Sequence, residues 1–181
     1  MEKRWVEHLL ADRQTVEKIS EELNINETLA QMLVKRDVTN FEEAKIFFRP
    51  DFSQLHDPFL MNGMHAAIAR IEAAIKYKEH ILIYGDYDVD GTTSVALTYS
   101  FFKELYPNVS YYIPDRYVEG YGISTQGIDY AELHQISLII ALDCGIKEID
   151  KVLYAKEKGI DFIICDHHLP GDQIPDAVAV L

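Results

Sequence analysis

Three apolar runs in this chain end on acidic residues, and that repetition restricts the fold more than any other feature. Ile81-Leu82-Ile83-Tyr84-Gly85 runs into Asp86-Tyr87-Asp88-Val89-Asp90-Gly91, Leu138-Ile139-Ile140-Ala141-Leu142 meets Asp143, and Phe162-Ile163-Ile164-Cys165 meets Asp166-His167-His168. Short aliphatic runs of this kind read as buried strands. Ala67, Ile68, Ile71, Ala74 and Ile75 recur at helical spacing between Met64 and Lys78, Thr92 to Leu105 reads as a second helix stopped by Pro107 and Asn108, and a charged helix runs from Lys147 to Lys158 with Gly159 as its stop. Val109 to Ile113 adds a further short strand. Strands alternating with helices imply a parallel α/β sheet with helices on both faces. In such sheets ligands bind beyond the carboxyl ends of the strands, where all three acidic motifs fall.

The preceding residues differ in character. Residues 1–60 read as short amphipathic helices, and residues 61–181 as the α/β domain. Asn40 followed by Glu43 matches a capping box, with Phe41, Ala44, Phe47 and Phe48 on one face of the helix that Pro50 stops. Asp51 to Pro58 is a turn-rich crossing segment.

Acids clustered this tightly repel one another and lose hydration on burial, and a bound divalent cation is the usual compensation. On an extended segment Asp88 and Asp90 would point to the same side, and Gly91 would let the chain turn sharply into a helix. An EF-hand would need further spaced ligands and a terminal Glu, which are absent. Asp143 taken alone reads as a helix N-cap. Taken with the other two strand ends, it reads as a bridging ligand. His167 and His168 add imidazoles beside an acid, which can fix their tautomers. In Asp115-Arg116-Tyr117-Val118-Glu119-Gly120-Tyr121-Gly122-Ile123-Ser124, the glycines permit close backbone approach and Arg116 can hold a phosphate by a bidentate contact, although an ordinary Gly-rich loop would look the same.

The formal charge of −13 counts against a simple nucleic-acid binding module, which would show a basic face, and weighs less against a metalloenzyme whose acidic site is neutralised by its ions. Two cysteines, Cys144 and Cys165, without CxxC spacing suggest neither a disulfide framework nor structural zinc. Met1 to Trp5 leads into no apolar signal core, and Ile136 to Leu142 is far too short to span a membrane, so a cytoplasmic location is expected.

These strings resemble the first three motifs of the DHH phosphoesterase superfamily: Asp88-x-Asp90, Asp143 within Leu-Asp-Cys-Gly, and Asp166-His167-His168. The longer strings from Tyr84 to Ser94, Arg116 to Ser124, Asp166 to Pro170 and Phe52 to Leu60 are similar to the RecJ branch, the single-strand-specific 5′→3′ DNA exonucleases of DNA repair and recombination. The resemblance implies two-metal phosphodiester hydrolysis with Mn²⁺ or Mg²⁺ and single-stranded DNA as substrate. It implies that Asp88, Asp90, Asp143 and His167 hold the metals, that His168 and Arg116 contact the substrate phosphate, and that Asp86 and Asp166 orient the ligands. Tyr84 stands where the pyrophosphatase branch carries a ligand His, which argues against that branch. The pattern of the family continues into a fourth Asp motif, a DHHA1-type subdomain and an OB-like domain, so the expectation is an incomplete catalytic fragment with little activity of its own. The alternatives are a DHH phosphodiesterase acting on oligonucleotides or cyclic dinucleotides, and a non-catalytic scaffold.

Overall fold

A computed structural model describes Arg4, Val6 and residues 9–181; Met1 to Lys3 and Trp5, read above for a signal core, lie outside the described residues. The chain divides into two compact units, Met1–His56 and Asp57–Leu181. The expected division near residue 60 falls just inside the second unit, where Pro58–Leu60 forms a short 3-10 turn.

Among the described residues the first unit holds three α-helices, α1 (Arg13–Leu23), α2 (Glu27–Val34) and α3 (Phe41–Phe48), and a 3-10 turn at Phe52–Gln54. Each α-helix begins at a short polar side chain, Asp12, Asn26 and Asn40 respectively, which accepts an otherwise unpaired N–H from Thr15, Leu29 and Glu43 in turn. At α3 only half of the expected capping box forms. Asn40 accepts from the Glu43 N–H, whereas the Glu43 carboxylate turns to the Thr39 N–H and hydroxyl instead of to Asn40. Val16, Ile19, Ala30, Leu33, Val38 and Ala44 pack into a small core.

The second unit runs α4 (Met64–Lys76), β1 (His80–Gly85), α5 (Val89–Leu105), β2 (Val109–Tyr112), α6 (Thr125–Leu133), β3 (Ile136–Leu142), α7 (Ile149–Glu157), β4 (Asp161–Cys165) and β5 (Ala179–Val180). All strand pairings are parallel, in the order β2-β1-β3-β4-β5. Alternation along β1 and β3 divides the core. Ile81, Ile83, Leu138 and Ile140 face Ala67 and Ala74 of α4 and Val95 of α5. Leu82, Tyr84, Ile139 and Ala141 face Ile128 of α6 and Val152 of α7 on the other side. Helices therefore cover both faces, as the continuous apolar runs require. No helix among the described residues is long and apolar enough to cross a membrane.

Two elements are additional to those read from sequence. Helix α6 emerges from the Gly-rich string because Ser124 caps it, accepting the Gly127 N–H at 2.8 Å. Strand β5 is two residues long, too short for any periodicity, and exists only through pairing with Ile163 and Ile164.

Because β1 lies between β2 and β3, the chain leaves β1 toward one side of the sheet and returns on the other. The loops after β1 and β3 thus diverge, opening a crevice at their carboxyl ends. The amino ends are clamped by Arg70 of α4, which donates to Asp161 and Glu79, both at 2.6 Å, while the Ser137 hydroxyl also donates to Glu79. Burial opposes charging Glu79, but the bonds from Ser137 and Arg70 outweigh it and hold its carboxyl below the ordinary range. A lowered folded-state pKa contributes stability above the unfolded value, lost as pH falls. Arg70→Ala should therefore cost about 1.5–3 kcal/mol at neutral pH. The difference from wild type should narrow as the pH falls below 4.5, the ordinary value for Glu. Urea unfolding at neutral and acidic pH checks this; a pH-independent difference would remove Glu79 from the explanation.

Candidate metal centre

The three acidic motifs meet at the carboxyl ends of β1, β3 and β4. Asp86 follows β1 directly and is 0 % exposed. Its Oδ1 accepts the Asp88 N–H at 3.2 Å, while Oδ2 is buried without a hydrogen-bond partner among the described residues. Burial pushes its carboxyl pKa up. The tight junction depends on glycine: a Cβ on Gly91 would lie 2.2 Å from Asp86 Oδ1 and 2.7 Å from its carbonyl oxygen.

The extended geometry expected for Asp88-x-Asp90 does not form. Helix α5 begins at Val89, three residues earlier than the sequence suggested, with Asp88 as its N-cap. Asp88 Oδ1 accepts the N–H groups of Asp90 and Gly91, both at 3.0 Å, which lowers its pKa, the Gly91 bond foremost. Asp90 sits in the first turn, where a carboxylate favours the positive helix end.

Asp143 is not a cap. Helix α7 starts at Ile149 behind Glu148, and Asp143 instead adopts a left-handed backbone (φ 59) with its N–H donating to the Cys165 carbonyl at 2.8 Å. That conformation is tolerated by Asp better than by most residues. Its side chain is 7 % exposed, and His167 Nε2 lies 3.0 Å from its Oδ1. Burial, and next the charge of Asp88, raise its pKa.

Asp166 plays a different part. Its side chain is 2 % exposed and fully engaged, with Oδ2 accepting the Ile146 N–H and Oδ1 meeting the backbone and Nδ1 of His168 at 3.1 and 2.7 Å. The contact fixes the ring through Nδ1 and raises the His168 pKa.

Two groupings of hard ligand atoms result, each with its atoms within 4.8 Å of one another: Asp86, Asp88 and Asp143, and Asp143, His167 and His168. Asp143 belongs to both. Asp90 belongs to neither, though its charge is felt at Asp143. Sequence reasoning placed Asp86 outside the ligand set; the structure puts it within the carboxylate grouping, and the only local signal was its position directly after the strand. Three neighbouring carboxylates, two of them pushed toward protonation by burial, together with an unpartnered buried oxygen, fit a divalent cation. Oxygen and imidazole donors without thiolate suit Mn²⁺ or Mg²⁺.

Arg116 is exposed at the crevice loop. Its guanidinium lies 5.2 Å from the Tyr87 ring centroid, Tyr87 meets Tyr121 edge-on, and Tyr121 meets His168 edge-on. Tyr84 belongs to neither ligand grouping. Its hydroxyl donates to the Gly122 carbonyl and accepts the Ser124 N–H, both at 3.0 Å, so β1 holds the loop. Tyr84→Phe would leave two buried backbone groups unpaired, a cost of about 1–3 kcal/mol. Thermal unfolding should show that loss, with faster amide exchange at Ser124; unchanged exchange there would mean that the loop is held by other contacts.

The DHH family model, described as its N-terminal domain, matches residues 80–181, the stretch from β1 through β5. The chain belongs to the DHH family. Among curated relatives, it is 41 % identical over 178 residues to the single-stranded-DNA-specific exonuclease RecJ of Bacillus subtilis, covering 98 % of this chain and 22 % of that protein. It is 36 % identical over 122 residues to RecJ of Escherichia coli, covering 67 % of this chain and 21 % of that protein. The chain thus spans about a fifth of the length of these relatives. A solved exonuclease RecJ bound to manganese superposes with a TM-score of 0.59 at 32 % identity, over 66 % of this chain and 31 % of that one. RecJ of Thermus thermophilus, solved with Mn²⁺, shares the fold with a TM-score of 0.69 at 24 % identity, over 95 % of this chain and 24 % of that one. This DHH domain is therefore similar to RecJ in sequence as well as in fold.

Proposed function

We propose that this DHH domain carries the metal-binding catalytic site of a single-stranded-DNA-specific 5′→3′ exonuclease of DNA repair and recombination. The observation that carries the proposal is the membership of Asp143 in both ligand groupings, which suits two neighbouring ions sharing one carboxylate. Asp86, Asp88, Asp143 and His167 would hold Mn²⁺ or Mg²⁺. When bound, such cations supply Lewis-acid charge for phosphodiester hydrolysis and make water a stronger acid. Asp90 adds negative charge from the first turn of α5. His168, held by Asp166 through Nδ1, would donate from Nε2 to a non-bridging phosphate oxygen. Arg116, over the Tyr87 ring, would hold a phosphate by its planar fork. The two unpaired cysteines accord with a cytoplasmic setting.

The test exploits the identity with the Bacillus subtilis relative. A chimera in which this chain replaces the matched residues of that RecJ should digest a 5′-labelled single strand in Mn²⁺ and leave duplex DNA intact. Failure of a folded, Mn²⁺-binding chimera to digest the single strand would overturn the assignment. Digestion from the 3′ end would overturn its polarity.

A further inference from the structure

One well-formed concavity lies far from the acidic motifs in sequence. It is an open groove of about 880 Å³ in the N-terminal unit, between α2 and α3. Leu29 and Met32 of α2 and Phe41, Phe47 and Phe48 of α3 line it, and each is about half exposed or more. Ala44 and Leu33, both buried, form its floor. A contiguous apolar surface of this kind marks an interaction site.

Its charge is opposite to that of the chain. Arg36, Lys45 and Arg49 line the groove and no acidic residue does, on a chain whose formal charge is −13. Among the described residues Arg36 bonds only the Met32 carbonyl, Arg49 forms no ion pair, and Lys45 reaches Glu42 only at 4.0 Å. The cations are therefore left for something else.

We propose that this groove seats an acidic amphipathic helix from a protein partner, independently of the function of the DHH site. Two helices flanking a trough accept a third through apolar anchors at i, i+3 or i+4 and i+7, and a ring of cations selects carboxylates on its outer face. Single-stranded DNA fits less well. Its bases need open aromatic faces, whereas Phe47 and Phe48 pack edge-to-face on each other at 5.1 Å and aliphatic side chains supply much of the remaining wall.

The experiment is fluorescence anisotropy with the 181-residue chain and three labelled probes: a synthetic helix with Leu on one face and Glu on the other, its twin with Lys in place of Glu, and oligo(dT). Net charge alone would favour the Lys twin, so preference for the Glu helix reports the groove. The Glu helix should bind, and the twin should bind about tenfold more weakly or worse. Arg36→Glu with Lys45→Glu should reverse the preference, and Phe47→Ala, checked for helix content by circular dichroism, should weaken the Glu helix without changing the sign of the preference. Equal binding of both helices, a preference for the Lys twin, or binding of oligo(dT) alone would overturn the proposal. So would self-association of the chain that Phe47→Ala abolishes, since the occupant would then be a second copy.

Discussion

Exchanging Asp143 for Asn is expected to abolish measurable Mn²⁺ binding, a larger effect than any other single substitution at the site. Asp143 is the residue common to both ligand groupings, so its loss dismantles both, whereas Asp88→Asn or His167→Ala leaves one intact. Asn is the informative replacement. The backbone at position 143 is left-handed, a conformation Asn adopts readily and Ala only at a cost of about 1–2 kcal/mol. Losing an outer partner of a metal ligand costs about 10–100-fold in affinity, and loss of a shared, charged ligand should exceed that. The same change should leave the metal-free protein as stable as wild type or more so, because it removes a carboxylate that burial and Asp88 both disfavour. Calorimetric titration with MnCl₂ and thermal unfolding in EDTA measure the two effects. If Asp143→Asn binds Mn²⁺ no more weakly than Asp88→Asn, Asp143 is an ordinary ligand and the sharing is wrong.

Gly91→Ala should destabilise the domain by about 2–3 kcal/mol, the upper part of the range for overpacking, and lower the melting temperature by about 5–10 °C. Helix propensity alone gives the opposite sign, since Ala exceeds Gly by about 1 kcal/mol inside a helix. Sterics outweigh it here: the new methyl would meet not only Asp86 Oδ1 but also Asp86 backbone atoms at 2.7 and 2.9 Å, and backbone cannot rotate aside. The shift would also displace the unpartnered Asp86 oxygen, so Mn²⁺ affinity should fall along with stability. A variant as stable as wild type would show that β1 and α5 can separate at no cost.

Much of this was legible in the residues. Strands β1, β3 and β4 announced themselves because parallel strands buried on both faces must be apolar at every position. The acid at the end of each pointed to the sheet edge where ligands collect. Helix α5 was readable but its start was not: a side chain that caps a helix also sets where the helix begins, and Asp88 moved the start to Val89 and took Asp90 off the extended path. Helix α6 and strand β5 escaped for a related reason. Ser124, Gly127 and the pair Ala179–Val180 owe their structure to bonds and contacts with Tyr84, Tyr112 and β4, partners distant along the chain.

The sharpest case is the pair Asp86 and Asp166. Each follows a buried strand and each precedes two further candidate ligands, so local pattern treats them alike. The folded chain separates them. Strand order carries Ile146, just past β3, to Asp166, and with His168 it occupies both of that carboxylate's oxygens. At Asp86, Oδ1 takes the Asp88 N–H while Oδ2 stays buried without a hydrogen-bond partner among the described residues. Residue type and spacing thus sufficed to say that carboxylates would gather at one sheet edge. Which of them has an oxygen free for a cation depends on hydrogen-bond partners brought together across the sheet, and local sequence carries no record of those.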